Sequence, residues 1–261
     1  MEYLFDPDVI HECALAGIGK PKPAMFDAVA DAIEDRYPGR IDRSHPWLYS
    51  IAGGAMIQMK LYYASALEYL MIWGTPIGSE GHSGRHLVGF WDTVIDGETW
   101  YYAEGQFERR VYRPGDRIWV GPGQARAMSF TDGVWAVEYA RGAIPLSMPF
   151  GLADEILSTL DFATAGMTVG LYMSLIGRHW QLPLPGGEKP SLLRRTLGAL
   201  VGAAGSAVSR ACRPAPPEDA IPAGPTRGTW RGLPPIHAPR PPVAEAAAPS
   251  PPRRAGSAGR E

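Results

Sequence analysis

A chain of 261 residues with a net charge of -2, whose 25 basic side chains are scattered instead of striped, lacks the basic surface that a nucleic-acid partner requires. Its two cysteines, Cys13 and Cys212, are too few for a disulfide framework or a cysteine-built metal site. Of 26 prolines, 13 follow residue 212, so a structured part over residues 1–210 is expected to precede a disordered Pro/Ala/Arg-rich tail over 211–261.

The first residues, Met1 to Asp6, contain no basic region followed by an apolar run, and no cleavable signal or anchor is expected there. Asp6 followed by Pro7 predicts an N-cap and first-turn proline for a short helix ending near Gly17. A second helix is marked by Phe26, Val29, Ala30, Ile33 and Tyr37 on one face and Asp27, Asp31 and Asp35 on the other. Pro38-Gly39 stops it. Residues 1–46 thus form a packing layer.

From Trp47 the period shortens. Segments 55–63, 65–73, 98–104, 106–112, 117–120, 124–130 and 134–140 are aromatic and β-branched. The turn residues Asp96-Gly97, Pro114-Gly115-Asp116, Gly121-Pro122-Gly123 and Thr131-Asp132-Gly133 separate them. Residues 47–149 therefore predict an antiparallel β-barrel or sandwich. The run from Gly74 to His86 is too polar and glycine-rich for a strand and is expected to be a structural loop beneath the cavity, with Glu80, His82 and Arg85 ordering its hydrogen bonds. It lacks the lysine of a phosphate loop, and His82 and His86 lack a third ligand, so neither a phosphate nor a metal is assigned to it.

Helical spacing returns after Pro149. Leu152, Ile156, Leu157 and Leu160 share one face, and residues 162–179 are apolar almost all round. The sixteen charge-free residues from Phe162 to Gly177 fall short of the roughly 20 needed to span a bilayer. Partial immersion of helices over 150–180 in a membrane surface is expected in preference to burial against the barrel or in an oligomer interface. Residues 181–210 are expected to hold a linker and a weak basic amphipathic helix.

Two acids stand out because they interrupt apolar runs. Alternation places Val134, Ala136, Glu138 and Ala140 on one strand face, while Asp92 lies within Phe90-Trp91-Asp92-Thr93-Val94-Ile95. A carboxyl group among such neighbours is either exposed at a rim or desolvated with a raised pKa, and two facing each other would share a proton. The plainer account has Asp92 capping a turn and Glu138 paired with Arg141. Around them Tyr69, Met71 and Trp73 alternate on one segment and Met128 and Phe130 on another, enough for a flat apolar slot with one electrostatic focus.

The runs Glu68-Tyr69-Leu70-Met71-Ile72-Trp73-Gly74-Thr75, Gly81-His82-Ser83-Gly84-Arg85, Asp92-Thr93-Val94-Ile95-Asp96-Gly97, Tyr112-Arg113-Pro114-Gly115, Gly121-Pro122-Gly123 and Val137 through Pro145 closely resemble the family that unites fungal sterol C-8 isomerase with the animal sigma-1 receptor. The resemblance covers residues 5–180 and implies a cupin-like β-barrel, capped by two C-terminal helices against a membrane, with a trimeric receptor branch. By the same resemblance Glu138 is the glutamate that pairs with a ligand's ammonium or the sterol cation, Asp92 is the aspartate hydrogen-bonded to it, and Tyr69 orients the pair. Met71, Trp73, Met128, Phe130, Ile144, Met148 and Tyr172 match wall positions, and His86 is a further substrate-binding position.

Ala55 stands where the receptor has tryptophan, and His86 where it has tyrosine, although the fungal enzymes tend to have histidine there. The wording of Gly74 to Gly78 and of Gly84 to His86 leans to the isomerase branch. The receptor's N-terminal transmembrane helix has no counterpart, so attachment is expected through the C-terminal helices, at the endoplasmic reticulum of a eukaryote or the inner-membrane surface of a bacterium. The activity implied moves a sterol double bond from the 8,9 to the 7,8 position without cofactor or metal. The alternatives are a non-enzymatic binder of sterols or lipophilic cationic amphiphiles, and a scaffold acting through the proline-rich tail.

Overall fold

The structure is a computed structural model that describes residues 3–183 and 187–213. Asp6 accepts hydrogen bonds from the backbone N–H groups of Asp8 (2.8 Å) and Val9 (3.3 Å), which starts α1, Pro7–Leu15. In α2, Ala24–Arg36, the side chains of Phe26, Val29, Ala30 and Ile33 are buried while Asp27, Asp31 and Asp35 are exposed, the two-faced pattern expected of it.

The middle of the chain forms one antiparallel sheet of eight strands: β1 Leu48–Ala52, β2 Ala55–Ala64, β3 Glu68–Thr75, β4 Ser79–His82, β5 Val88–Tyr102, β6 Arg110–Tyr112, β7 Arg117–Val120 and β8 Ala127–Gly142. The order is β1-β2-β3-β8-β5-β6, with β4 also paired to β8 and β7 to β5. Gly53 and Gly54, at φ of 60° and 87°, make the two-residue turn between β1 and β2.

Three expectations about strands need correction. Part of the supposed structural loop is strand: β4 pairs Ser79 with Phe130 and His82 with Ala127, so Glu80 and His82 belong to the sheet and Arg85 to the loop after it. Its glycines are needed for close approach, since a Cβ on Gly81 would lie 2.5 Å from the carbonyl oxygen of Gly53. Residues 88–95, absent from the expected strands, begin β5. Finally, Asp96-Gly97 and Thr131-Asp132-Gly133 are not turns between strands but irregularities within β5 and β8, whose register shifts between Val94 and Asp96 and between Gly97 and Thr99. A bulge calls for the same positive-φ residues as a tight turn, and sequence alone does not separate them.

Alternation decides the two faces of the sheet. Leu70, Ile72, Trp135, Val137 and Tyr139 pack outward with Phe5, Ile10, Phe26, Val29 and Ile33 of the N-terminal layer. Trp73, Phe90, Val134, Ala136 and Ala140 point to the opposite side and join Met167, Leu171, Tyr172 and Leu175 of the C-terminal helices. Fully burying one such aliphatic side chain stabilises the fold by about 1.5–3 kcal/mol.

After a 3₁₀ turn over Ile144–Leu146 come α3, Met148–Leu157, α4, Phe162–Gln181, and α5, Leu192–Ala211. The expected immersion of α4 in lipid is corrected here. Its apolar circumference is covered on one side by the sheet and on the other by α5, and within Phe162–Gln181 only Phe162 and Gln181 are exposed. Apart from Phe162, the exposed large apolar residues of these three helices lie on α3 and α5, among them Leu157, Leu192, Leu193 and Leu200. Among the described residues no helix is long and apolar enough to cross a membrane. The tail expected to be disordered lies, from residue 214 on, outside the described residues.

Glycines permit the contact between α4 and α5. A Cβ on Gly177 would lie 2.3 Å from the backbone nitrogen of Gly202, and one on Gly170 would lie 2.5 Å from that of Ser209. Gly177→Val is therefore expected to separate the two helices. Amide hydrogen exchange in α5 should rise by at least an order of magnitude while β3, β5 and β8 keep their protection; unchanged exchange in α5 would contradict this packing account.

Candidate functional site

The inner face of the sheet and α3 and α4 enclose a cavity with about 1110 Å³ of empty space, part of it open to solvent. Four of the strands supply most of its wall through alternate residues: Ile57, Met59 and Leu61 from β2, Tyr69, Met71 and Trp73 from β3, Phe90 and Asp92 from β5, Met128 and Glu138 from β8. Such a chamber, greasy with a few convergent polar groups, is what a small apolar ligand requires.

Its polar focus follows directly from strand register. Asp92 and Glu138 are cross-strand partners in the β5–β8 pairing, so their side chains leave the same face at adjacent positions. Both are buried, Asp92 at 1% exposure and Glu138 at 9%. Trp73 Nε1 donates to Asp92 Oδ1 at 2.9 Å, and the Tyr69 hydroxyl donates to Glu138 Oε1. Asp92 Oδ2 has no donor partner and faces Glu138, itself an acceptor. Burial, and then the charge of Glu138, hold the Asp92 carboxyl well above the usual carboxylate range. Burial also raises Glu138, while hydrogen bonds from Tyr69, Asp92 and Trp73 oppose that rise. Two carboxyls opposed in this way do not both ionise, and the pair as a unit holds one proton and one negative charge.

Neither plain account of the two acids holds. Asp92 lies within β5 and caps no turn. Arg141 does not pair with Glu138; its Nε donates to the Tyr139 hydroxyl at 2.7 Å on the outer face, where Tyr139 also approaches the buried Glu68 at 2.7 Å.

Of the expected wall residues, Tyr69, Met71, Trp73, His86, Met128, Ile144, Met148 and Tyr172 line the cavity together with the two acids. Phe130 does not. It sits behind Trp73, with ring centroids 5.4 Å apart, and buttresses the indole that donates to Asp92. Tyr172 donates its hydroxyl to the backbone oxygen of Ser65 at 2.6 Å, so it closes the wall without presenting a free polar group. The three loop candidates lie apart from the acids: His82 Nδ1 accepts from the Gly84 N–H at 3.0 Å, Arg85 pairs with Glu104 at 2.7 Å, and Glu80 pairs with Ser129 across β4–β8. His82 and His86 point to different surroundings, and among the described residues no three His, Cys, Asp or Glu side chains converge to hold a metal ion.

Several wall residues escaped the sequence reading. Ile57, Met59 and Leu61 alternate as an inner face must, and that period was available. Tyr101, Phe150 and Thr168 reach the cavity only because β5 runs past its bulge and because α3 and α4 fold back over the sheet.

The family model for ERG2 and Sigma1 receptor like proteins matches residues 1–180. The chain is 36% identical over 174 residues to the sigma non-opioid intracellular receptor 1 of Danio rerio, covering 66% of this chain and 78% of the relative. It is 38% identical over 171 residues to a C-8 sterol isomerase of Pyricularia oryzae, covering 64% and 77%. The isomerase of Aspergillus fumigatus is 36% identical over 170 residues, covering 64% and 71%. Among solved structures, a predicted oxalate decarboxylase of Thermotoga maritima overlaps 39% of this chain and 96% of its own at 12% identity and a TM-score of 0.33. Helix α5 begins after the last matched residue. With more than half of its length under the family model and the acid pair at the centre of the matched region, the chain belongs to the ERG2 and sigma-1 receptor-like family.

Proposed function

We propose that the chain is a cofactor-independent isomerase that moves a ring double bond of a sterol, or of a related terpenoid, from the 8,9 to the 7,8 position. The observation that supports this most directly is the buried pair of opposed carboxyls, Asp92 and Glu138, in an otherwise apolar chamber. The proton held by the pair passes to C9, the electron pair of the double bond forms the new C–H bond, and a tertiary cation develops at C8. The pair, now without its proton, stabilises that cation and removes a proton from C7, whose C–H electrons become the new double bond. The proton returns to the carboxyls, nothing is oxidised or reduced, and no co-reactant is needed. An apolar wall serves this reaction because water would capture the cation.

A second reading has one observation in its favour: the receptors among the relatives match this chain as closely as the isomerases do. A buried carboxyl pair that carries one negative charge suits the ammonium of a lipophilic amine equally well. Amine binding is thus common to both readings, and turnover separates them. Purified protein given an 8,9-unsaturated sterol should yield the 7,8 isomer, detected by mass spectrometry and by the shift of the olefinic signals in NMR. Tight sterol or amine binding with no movement of the double bond leaves the binder. The exposed apolar side chains of α3 and α5, beside Arg194 and Arg195, belong to the same proposal as a place where the protein rests on a membrane surface.

A further inference from the structure

Among the described residues seven buried side-chain nitrogen or oxygen atoms lack a hydrogen-bond partner, and three of them belong to cavity-lining residues: Asp92 Oδ2, His86 Nδ1 and Thr168 Oγ1. Buried polar atoms are rarely left unmatched, and inside a binding chamber an unmatched one marks where a ligand atom completes the set. The acid pair accounts for the first.

We propose that His86 is a specificity-determining residue that accepts, or donates, a hydrogen bond through Nδ1 to a hydroxyl group at the far end of a flat polycyclic lipid whose reacting region faces Asp92 and Glu138. This rests on the cavity being the site for such a lipid and does not require that the lipid be isomerised.

The imidazole is held in place on both sides. Its ring lies 6.1 Å from the Phe90 ring and 5.6 Å from the Phe150 ring, and its backbone oxygen accepts from the Gly123 N–H at 2.8 Å. Gly84 makes this placement feasible: at φ of 81° it turns the chain, and a Cβ there would lie 2.8 Å from His86 Cδ2 and 3.0 Å from the Phe150 ring. Phe90 shares its face of β5 with Asp92, and two residues along a strand advance about 7 Å. His86 packs against that Phe90 ring and lines the same cavity as the two acids, so an extended ligand along this wall reaches both. Burial pushes the imidazole pKa down and outweighs the opposing effect of the nearby Ser83 and Val88 backbone, which favours the neutral ring with one N–H and one lone pair. A neutral ring with both capacities matches a hydroxyl group, whereas it offers no charge to a second ammonium or a phosphate.

Equilibrium binding to the full chain tests this with three probes: a 3-hydroxysterol, its 3-deoxy analogue, and a lipophilic tertiary amine without a hydroxyl group. The wild type is expected to prefer the hydroxysterol to the deoxy analogue by about tenfold. His86→Phe, which keeps an aromatic ring between Phe90 and Phe150, should bind the two sterols alike, with the ratio of the two affinities falling from about tenfold to about one, and should weaken the amine by a smaller factor than the hydroxysterol. Should His86→Phe fail to fold, the imidazole ¹⁵N shifts of the wild-type protein report directly, moving with the hydroxysterol and not with the deoxy analogue. A tenfold preference that survives in His86→Phe, or one that disappears instead in Thr168→Val, overturns the assignment. A wild type that binds both sterols equally overturns the role of His86 alone; one that binds no sterol overturns the cavity reading itself.

Discussion

Glu138→Gln is expected to lower isomerase turnover by about 10³-fold or more while leaving the melting temperature at or slightly above that of the wild type. The amide has the shape of the acid and still accepts from the Tyr69 hydroxyl, so the wall around Trp73 and Met71 need not move. It carries no charge to stabilise a cation and cannot take the proton from C7. Its NH₂ group instead donates to Asp92, whose Oδ2 lacks a donor in the wild type. Two buried acids in contact cost the fold more than an acid and an amide, so stability and activity should move in opposite directions. Asp92→Asn is expected to match it in turnover, because the pair acts as a unit and removing either member removes the shared proton. Tyr69→Phe removes one neutral donor and should cost about tenfold. Since burial raises both carboxyls, the wild-type rate should hold through neutral pH and fall on the alkaline side as the last proton leaves the pair. Measured double-bond migration in Glu138→Gln at the wild-type rate would remove acid catalysis by this pair from consideration.

The second large effect concerns stability and a carboxyl that the proposed reaction does not use. Glu155 on α3 is 1% exposed and lies against β1, where the Ser50 side chain and the Ile51 backbone approach its oxygens without reaching full hydrogen-bond geometry and only partly offset its burial. Burial, and then the charge of Asp161, raise its pKa from 4.5 to about 7. The folded state therefore holds a proton that the unfolded chain has already released between these values, and stability falls as pH rises through that window. Below about pH 4.5 Glu155 imposes no electrostatic cost, and above about pH 7 the full cost of about 3 kcal/mol at most is present. Glu155→Gln should flatten this part of the profile and be more stable than wild type at pH 7.5 by about 1–3 kcal/mol. Urea unfolding of both proteins at pH 5 and pH 7.5 measures it. The comparison isolates Glu155 because Asp92 and Glu138, which slope in the same direction, are present in both. Parallel profiles for the two proteins would show that Glu155 is not the group responsible.

Much of this molecule is determined by local chemistry and was therefore legible in residue order. The Asp6-Pro7 start of α1, the two faces of α2 and the division of Val134 to Ala140 into an inner and an outer row each depend on neighbours within a turn or a few residues. The acids were conspicuous for the same reason, since a carboxyl group inside an apolar alternating run has few ways to be satisfied. What only the tertiary structure decided depends on residues far apart in the chain. Asp92 opposes Glu138 because a bulge between Val94 and Asp96 offsets the β5–β8 ladder after that pair, and residue order does not reveal which glycine makes a turn and which a bulge. The same limit applies to α4: an all-round apolar surface calls for cover of some kind, and only the fold shows that the sheet and the glycine-lined face of α5 supply it.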